Sequence, residues 1–409
     1  MRRALLGLAA LLALAAVPAR SLEWVPIGEV TALGGFHAFN GANGGFTGNL
    51  DAAFAPALRL SDDWALLPSA RGVYEGTRRL TDVLGTATAA QQSAEARVGA
   101  RGVYGDPASR WRFKPGFSYD AEFLKETPAD AWGQGLFDSR RLTVGGEAEL
   151  LTDDPHSVRA SANWFTVAYP NYTSLESQAA LQFAGQPLAR ELVGDRVLDR
   201  QGWQFALSGD AALGARLVGE AKAAVVWSQF PNQHLVDEGG QFTSDTRSDE
   251  LTDLSLAVRM PHDWNADLRA LGALEIGLTA NSSNQNGYDA SRGQFLPGFY
   301  DWVEWRAVPS ATLIVGPVRR PVTATLKLGW KRRTYGRRPP QDSTGAYGSG
   351  ALSSTEWSGG LSLAYPMTGR LSLIFDLERA SASSNQDFQV FYRYSYQATT
   401  ALAGVRWNW

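Results

Sequence analysis

One constraint governs most of this chain: charge and apolarity alternate residue by residue, and the charge stays on one parity. In 142–150, LTVGGEAEL, Leu142, Val144, Ala148 and Leu150 oppose Thr143, Glu147 and Glu149. In 322–333, Val322, Ala324, Leu326, Leu328 and Trp330 oppose Thr323, Thr325, Lys327, Lys331 and Arg333. A period of two is that of a strand, whose successive side chains point to opposite faces. Each segment therefore carries one apolar and one polar face. A soluble sandwich also alternates, so the number of segments and the consistency of their faces matter more than any single one.

The charged parity is consistent along the chain. It holds Arg97, Arg101, Arg112, Lys114, Asp120, Glu122, Arg141, Glu147, Glu149, Arg159, Asp210, Glu220 and Lys222. It continues through Asp253, Arg259, Arg269, Glu275, Glu304, Arg306, Lys327, Lys331, Asp376, Glu378 and Arg406. The opposite parity carries Leu, Val, Ala, Phe and Trp. An Arg or Lys placed in hydrocarbon at mid-depth costs roughly 2–4 kcal/mol. Such a ban on charge from one face is what a lipid-facing sheet requires.

The half-buried strand template fits roughly sixteen segments: 29–40, 47–60, 66–76, 92–105, 109–125, 137–152, 156–169, 200–213, 217–230, 249–260, 268–281, 300–316, 321–335, 355–366, 370–380 and 393–409. The first is the weakest, because GGFHAFNGANGG is rich in glycine. Connections alternate in length. Short ones such as GDPAS (105–109), PHDWNAD (261–267) and PMTGR (366–370) carry turn residues. Longer polar stretches lie at 77–91, 126–136, 170–199, 231–248, 282–299, 336–354 and 381–392. Pro170 and Pro231 each follow an aromatic strand end and read as strand stoppers. Residues 174–184 would allow a helical turn or two, and a further hairpin in 174–199 would raise the count to eighteen.

Nothing in hydrocarbon hydrates the backbone, so only helices and closed barrels span a membrane. Mean hydropathy is only -0.21. The one long apolar run, Ala4–Val17, follows Met1-Arg2-Arg3 and reads as a secretory signal, residues 1–21, cleaved after Ala19 or Ser21. The domain expected after it is a single barrel, residues 22–409. A net charge of -3 argues against a nucleic-acid partner, and the absence of cysteine excludes disulfides and thiolate metal sites. No cofactor is expected.

The chain closes on AGVRWNW, with Ala401, Ala403, Val405, Trp407 and Trp409 on one parity and Arg406 on the other. With the signal and the alternating turns and loops, this resembles the outer-membrane β-barrel proteins of bacteria. In that family the last strand ends in Phe or Trp after alternating apolar residues. The resemblance covers the whole mature chain and singles out no subfamily. It implies an all-β, antiparallel up-and-down transmembrane barrel integral to the outer membrane, in contact with its lipid. It also implies short periplasmic turns, long extracellular loops, both termini periplasmic, and Trp407 and Trp409 as a signal read by the barrel-assembly machinery.

Barrels of sixteen to eighteen strands leave an aqueous channel. The expected function is a porin-like conduit for polar solutes, with the residues of the charged parity lining it. That parity is mixed and nearly balanced in sign, which argues against strong ion selectivity. Equally, its charges could pair across neighbouring strands and stiffen the wall. Two alternatives stand beside this reading. One is export of an extracellular polysaccharide with periplasmic export components, since exporters have similarly mixed linings. The other is a rim enzyme or adhesin. For an enzyme, His234 beside Asp237 and Glu238 is the one loop histidine, and a solvated histidine is the simpler reading.

Overall fold

The computed structural model describes residues 23–40, 45–81, 88–106, 108–125, 130–152, 156–173, 182–183, 186–187, 190–214, 216–289, 292–389 and 393–409. The expected signal, 1–21, lies outside the described residues. Sixteen long strands form the wall. They are β1 (Gly28–Phe39), β2 (Gly45–Phe54), β3 (Trp64–Thr81), β4 (Thr88–Tyr104), β5 (Trp111–Lys125), β6 (Ser139–Leu151), β7 (Ser157–Ala168) and β8 (Arg200–Ala212). Then come β9 (Val218–Val236), β10 (Phe242–Asn265), β11 (Leu268–Ser283), β12 (Trp302–Val315), β13 (Val322–Tyr335), β14 (Ser353–Pro366), β15 (Leu371–Ser384) and β16 (Tyr396–Asn408). Each pairs antiparallel with the next, and β1 pairs with β16 from Glu29↔Asn408 to Phe39↔Ala398. The sheet therefore closes on itself and leaves no wall strand with a free edge. A short strand, Glu23–Val25, lies against Ala57–Arg59, which continues onto the start of β3.

The glycine-rich first strand forms as expected. At the closing seam the backbones approach closely: a methyl built on Gly35 would overlap the Ala401 carbonyl oxygen, and one on Gly404 that of Ala32. Glycine here is what lets the first and last strands meet.

Several boundaries differ from the sequence expectation. Pro231 does not stop β9. The strand runs on to Val236, with register shifts between Phe230 and His234 and again before Val236. Proline has no N–H to give, and a bulge lets the ladder resume past it. The expected loop 231–248 is therefore mostly a projecting ribbon of β9 and β10. His262 lies in β10 as well, paired with Ala270, so the turn after it contracts to Ala266 and Asp267. The expected loop 77–91 is likewise largely strand, since β3 reaches Thr81 and β4 starts at Thr88. Within 174–199 no strand joins the barrel among the described residues. Gln182–Phe183 pairs only with Gln186–Pro187, and Arg190–Leu192 is a turn of 3-10 helix. The wall has sixteen strands; 174–181, where a helical turn was expected, lies outside the described residues.

The two faces differ as their composition requires. Leu256, Ile276, Val144, Leu326 and Phe375 stand exposed on the outer face. Exposed aromatics flank this band: Trp64, Tyr104, Trp111, Trp264, Tyr365 and Trp407 toward the short-turn rim, and Trp203, Trp227, Trp305 and Trp357 toward the long-loop rim. On β14 the interval from Trp357 to Tyr365 is roughly 27 Å at 3.4 Å per residue, or about 20 Å along the barrel axis at the usual tilt near 40°. That approaches the apolar height of a membrane barrel. No helix among the described residues is long and apolar enough to cross a membrane.

Candidate functional site

Strand register puts every charged residue singled out above on the face opposite the exposed apolar one. Arg97, Asp120 and Arg141 stand in one cross-strand row, and Arg112, Glu149 and Arg159 in another. Thr279, Glu304 and Arg333 form a row on the far side, and Lys331 stands opposite Arg306 and Glu356. Asp376 and Glu378 face Leu402 and Thr400, and Arg406 stands between Ser372 and Thr31.

Most of these charges pair laterally. Lys114 Nζ lies 2.8 Å from Glu147 and 2.9 Å from Glu149, and Arg159 Nε lies 2.8 Å from Glu149. Arg306 reaches Asp253 at 2.7 Å and Glu275 at 3.4 Å, and it also donates to Thr279 Oγ1. Glu220 holds Lys222 at 2.7 Å and Arg259 at 2.8 Å. Lys331–Glu356 spans 3.2 Å, and Arg333–Glu304 spans 3.0 Å. Arg406 reaches Glu29 across the seam at 3.6 Å. Arg97 pairs with Asp120 and Glu95, and Arg71 with Asp51. Glu29, Asp51, Arg71, Glu95 and Glu356 were not among the expected lining residues, although they share its parity. Pairs as hydrated as Arg259–Glu220 contribute little individually, at most about 1 kcal/mol. Together they hold the side chains in fixed places.

A minority have no ion-pair partner among the described residues: Arg101, Arg112, Arg141, Arg269, Lys327 and Asp376. Arg141 instead donates to Thr143 Oγ1 and lies over the Phe165 ring at 4.8 Å. Two recesses open in this face. The larger, of about 730 Å³, is bordered by Lys327, Lys331, Glu356, Asp376, Glu378 and Thr400. The second, of about 500 Å³, is bordered by Arg97, Arg101, Lys114 and Glu147.

At the long-loop rim the connections interlock over buried polar groups, which period-two reasoning cannot reveal. Glu191, fully buried, accepts from the Tyr300 hydroxyl at 2.8 Å and the Tyr288 amide at 3.0 Å. Its carbonyl accepts from Gln233 Nε2 at 2.8 Å. Gln233 Oε1 in turn accepts from Arg247, which pairs with Asp249 at 2.6 Å and lies over the Tyr300 ring at 4.2 Å. Burial pushes the Glu191 carboxyl up to about 7 and raises the Tyr300 hydroxyl well above its ordinary value. Nearby, Asp289 accepts from Arg292 and from the Tyr347 hydroxyl, and Arg338 donates to Tyr394.

His234 sits on the extension of β9, not in a loop. Its carbonyl accepts from Gln285, and its ring tilts against Phe242. Asp237 holds a turn by accepting from the Gly239 and Gln241 amides. The two side chains form no hydrogen bond to each other. Among the described residues no cluster of His, Asp and Glu could hold a metal ion.

No protein-family model and no curated protein matches the chain. Among solved structures, it is similar to OmpT, an outer membrane protein of Vibrio cholerae, with 10% identity, 95% of this chain and 100% of that chain covered, and a TM-score of 0.44. It is also similar to a bacterial polysaccharide outer membrane secretin (9% identity, 94% and 98% covered, TM-score 0.44). A third is OpdK, an outer membrane protein of Pseudomonas aeruginosa (11% identity, 94% and 99% covered, TM-score 0.37). Likeness at this level names neither a subfamily nor a solute. By its own closed sixteen-strand wall, apolar outside and charged inside, the chain has the architecture of the bacterial outer-membrane β-barrels that its sequence resembles.

Proposed function

We propose that this barrel is an outer-membrane channel that passes polar solutes through a lumen of mixed charge. The observation that carries the reading is the division of the two faces in a closed wall of sixteen strands. An apolar exterior with aromatic borders suits lipid, and a hydrophilic interior with open recesses suits water and dissolved solutes. The near balance of acidic and basic groups favours weak ion selectivity. In this reading the residues of the charged parity line the path. The short turns and both termini face the periplasm, and the interlocked loops face outward.

The test is conductance. Purified protein added to a planar bilayer in KCl is expected to give discrete steps with a reversal potential near zero under a salt gradient. A folded barrel that inserts without conducting overturns the reading. The dense inner ion-pair clusters also suit polysaccharide export, whose distinguishing result is loss of an extracellular glycan on deletion of the gene. His234, occupied in strand contacts, gives no support to a rim hydrolase.

A further inference from the structure

The smaller recess differs from the rest of the inner wall. Its floor is bare: Gly116 of β5 and Gly145 of β6 both face inward, directly opposite one another. Neighbouring backbone stands close beneath them. A methyl on Gly116 would press on the Ala100 carbonyl oxygen and one on Gly145 would overlap that of Ala162. No side chain fills these two adjoining inner positions, and they border a hollow of about 500 Å³. That is within the usual size range of small-ligand sites.

Its borders carry an unbalanced charge. Of the three cations around it, Arg97 is held by Asp120 and Glu95, and Lys114 by Glu147 and Glu149. Arg101 has no carboxylate partner among the described residues, which leaves one guanidinium uncompensated at the edge of the hollow. Beside it, the side chains of Ser69, Ser161 and Asn163 border the recess and make no hydrogen bond to another group among the described residues. A planar guanidinium fork matches a carboxylate through two parallel hydrogen bonds. Free hydroxyl and amide groups match hydroxyls.

We propose that this recess binds a hydroxyl-rich carboxylate, of the sugar-acid class, with the carboxylate on Arg101 and the hydroxyls on Ser69, Ser161 and Asn163. The inference rests on the channel reading for its biological sense and on the recess alone for its chemistry. A neutral sugar would leave the guanidinium without a counter-charge, and a small carboxylate would leave the hydroxyl and amide groups unused.

The experiment is calorimetric titration of the detergent-solubilised, folded barrel with gluconate, glucose and acetate. Gluconate is expected to bind at least about tenfold more tightly than either of the others. Charge-assisted hydrogen bonds have that worth or more. R101Q, which removes the charge, is expected to reduce gluconate to the level of glucose. R101K, which keeps the charge and loses the fork, should fall between R101Q and the parent protein. Equal affinity for gluconate and acetate, or a parent-like affinity in folded R101Q or R101K, overturns the proposal. Conductance in KCl without gluconate binding overturns this proposal alone, and gluconate binding without conductance overturns the channel reading alone.

Discussion

The Tyr300 hydroxyl donates to Glu191 Oε1 across 2.8 Å, joining two loops whose contacting residues are 109 positions apart in the chain. The carboxyl is held near 7 by burial, above its ordinary 4.5. In the folded protein it therefore keeps its proton to a higher pH than in the unfolded chain. Its contribution is fully present below about 4.5 and lost as pH rises through about 7, a span worth at most about 3 kcal/mol. Protection of the Tyr288 amide against hydrogen exchange, corrected for intrinsic rates, should be greater at pH 5 than at pH 8. Glu191→Gln should flatten that difference; equal protection of the parent protein at both pH values would count against the buried carboxyl.

The assignment of faces is tested by a pair of neighbours. Leu256 is exposed on the outer side of β10, and Ser255 points inward. Leu256→Arg should lower stability in lipid vesicles by roughly 2–4 kcal/mol. Ser255→Arg should cost much less, and urea titration of both variants measures the contrast. Equal costs would mean that the outer band does not meet hydrocarbon.

At the seam, Gly404→Val would drive a branched side chain against the Ala32 carbonyl. Overpacking of this kind costs about 1–3 kcal/mol in ordinary cores, and here the first and last strands must also separate. The expected result is loss of the heat-modifiable band on cold gel electrophoresis. Gly369, which has open space around it, serves as the control position and should tolerate Ala.

Trp409 donates its amide to the Gly28 carbonyl, stacks on Phe54 and packs at a tilt against Trp407. Trp409→Lys should reduce the amount of barrel assembled in cells while leaving most refolding in detergent intact. That split separates recognition during assembly from simple packing. Parent-level assembly in cells would remove Trp409 from the recognition signal.

Arg306 is the common partner of Asp253 and Glu275. Arg306→Gln leaves both carboxylates without that cation. Under a KCl gradient the reversal potential should move toward the potassium value. An unchanged reversal potential would show that this cluster lies away from the ion path.

The barrel was legible because its two faces meet two different solvents, and a period of two records that directly. The same rule put Arg97, Glu147 and Asp376 on one face before any contact was known. It failed where local chemistry competes with the period. Pro231 looked like a stop, yet a bulge carries β9 past it. Gly116 and Gly145 carry no polarity, so alternation could not mark the recess they floor. Glu191 and Gln233 act through partners in distant loops, and no local spacing announces such contacts. Glu191 resembles any loop carboxylate until Tyr300 and Arg247 are seen around it.

The pairing of Glu29 with Asn408 also limits the order of events during biogenesis. Neighbouring strands can pair as soon as both have been delivered, because they follow one another in the chain. The seam cannot form until almost the whole chain has been delivered. Until then β1 and β16 both present unpaired edges, the kind of surface that templates aggregation. The protein is thus most vulnerable just before it becomes most stable, and a catalyst that shelters those two edges would act at the step where its help matters most.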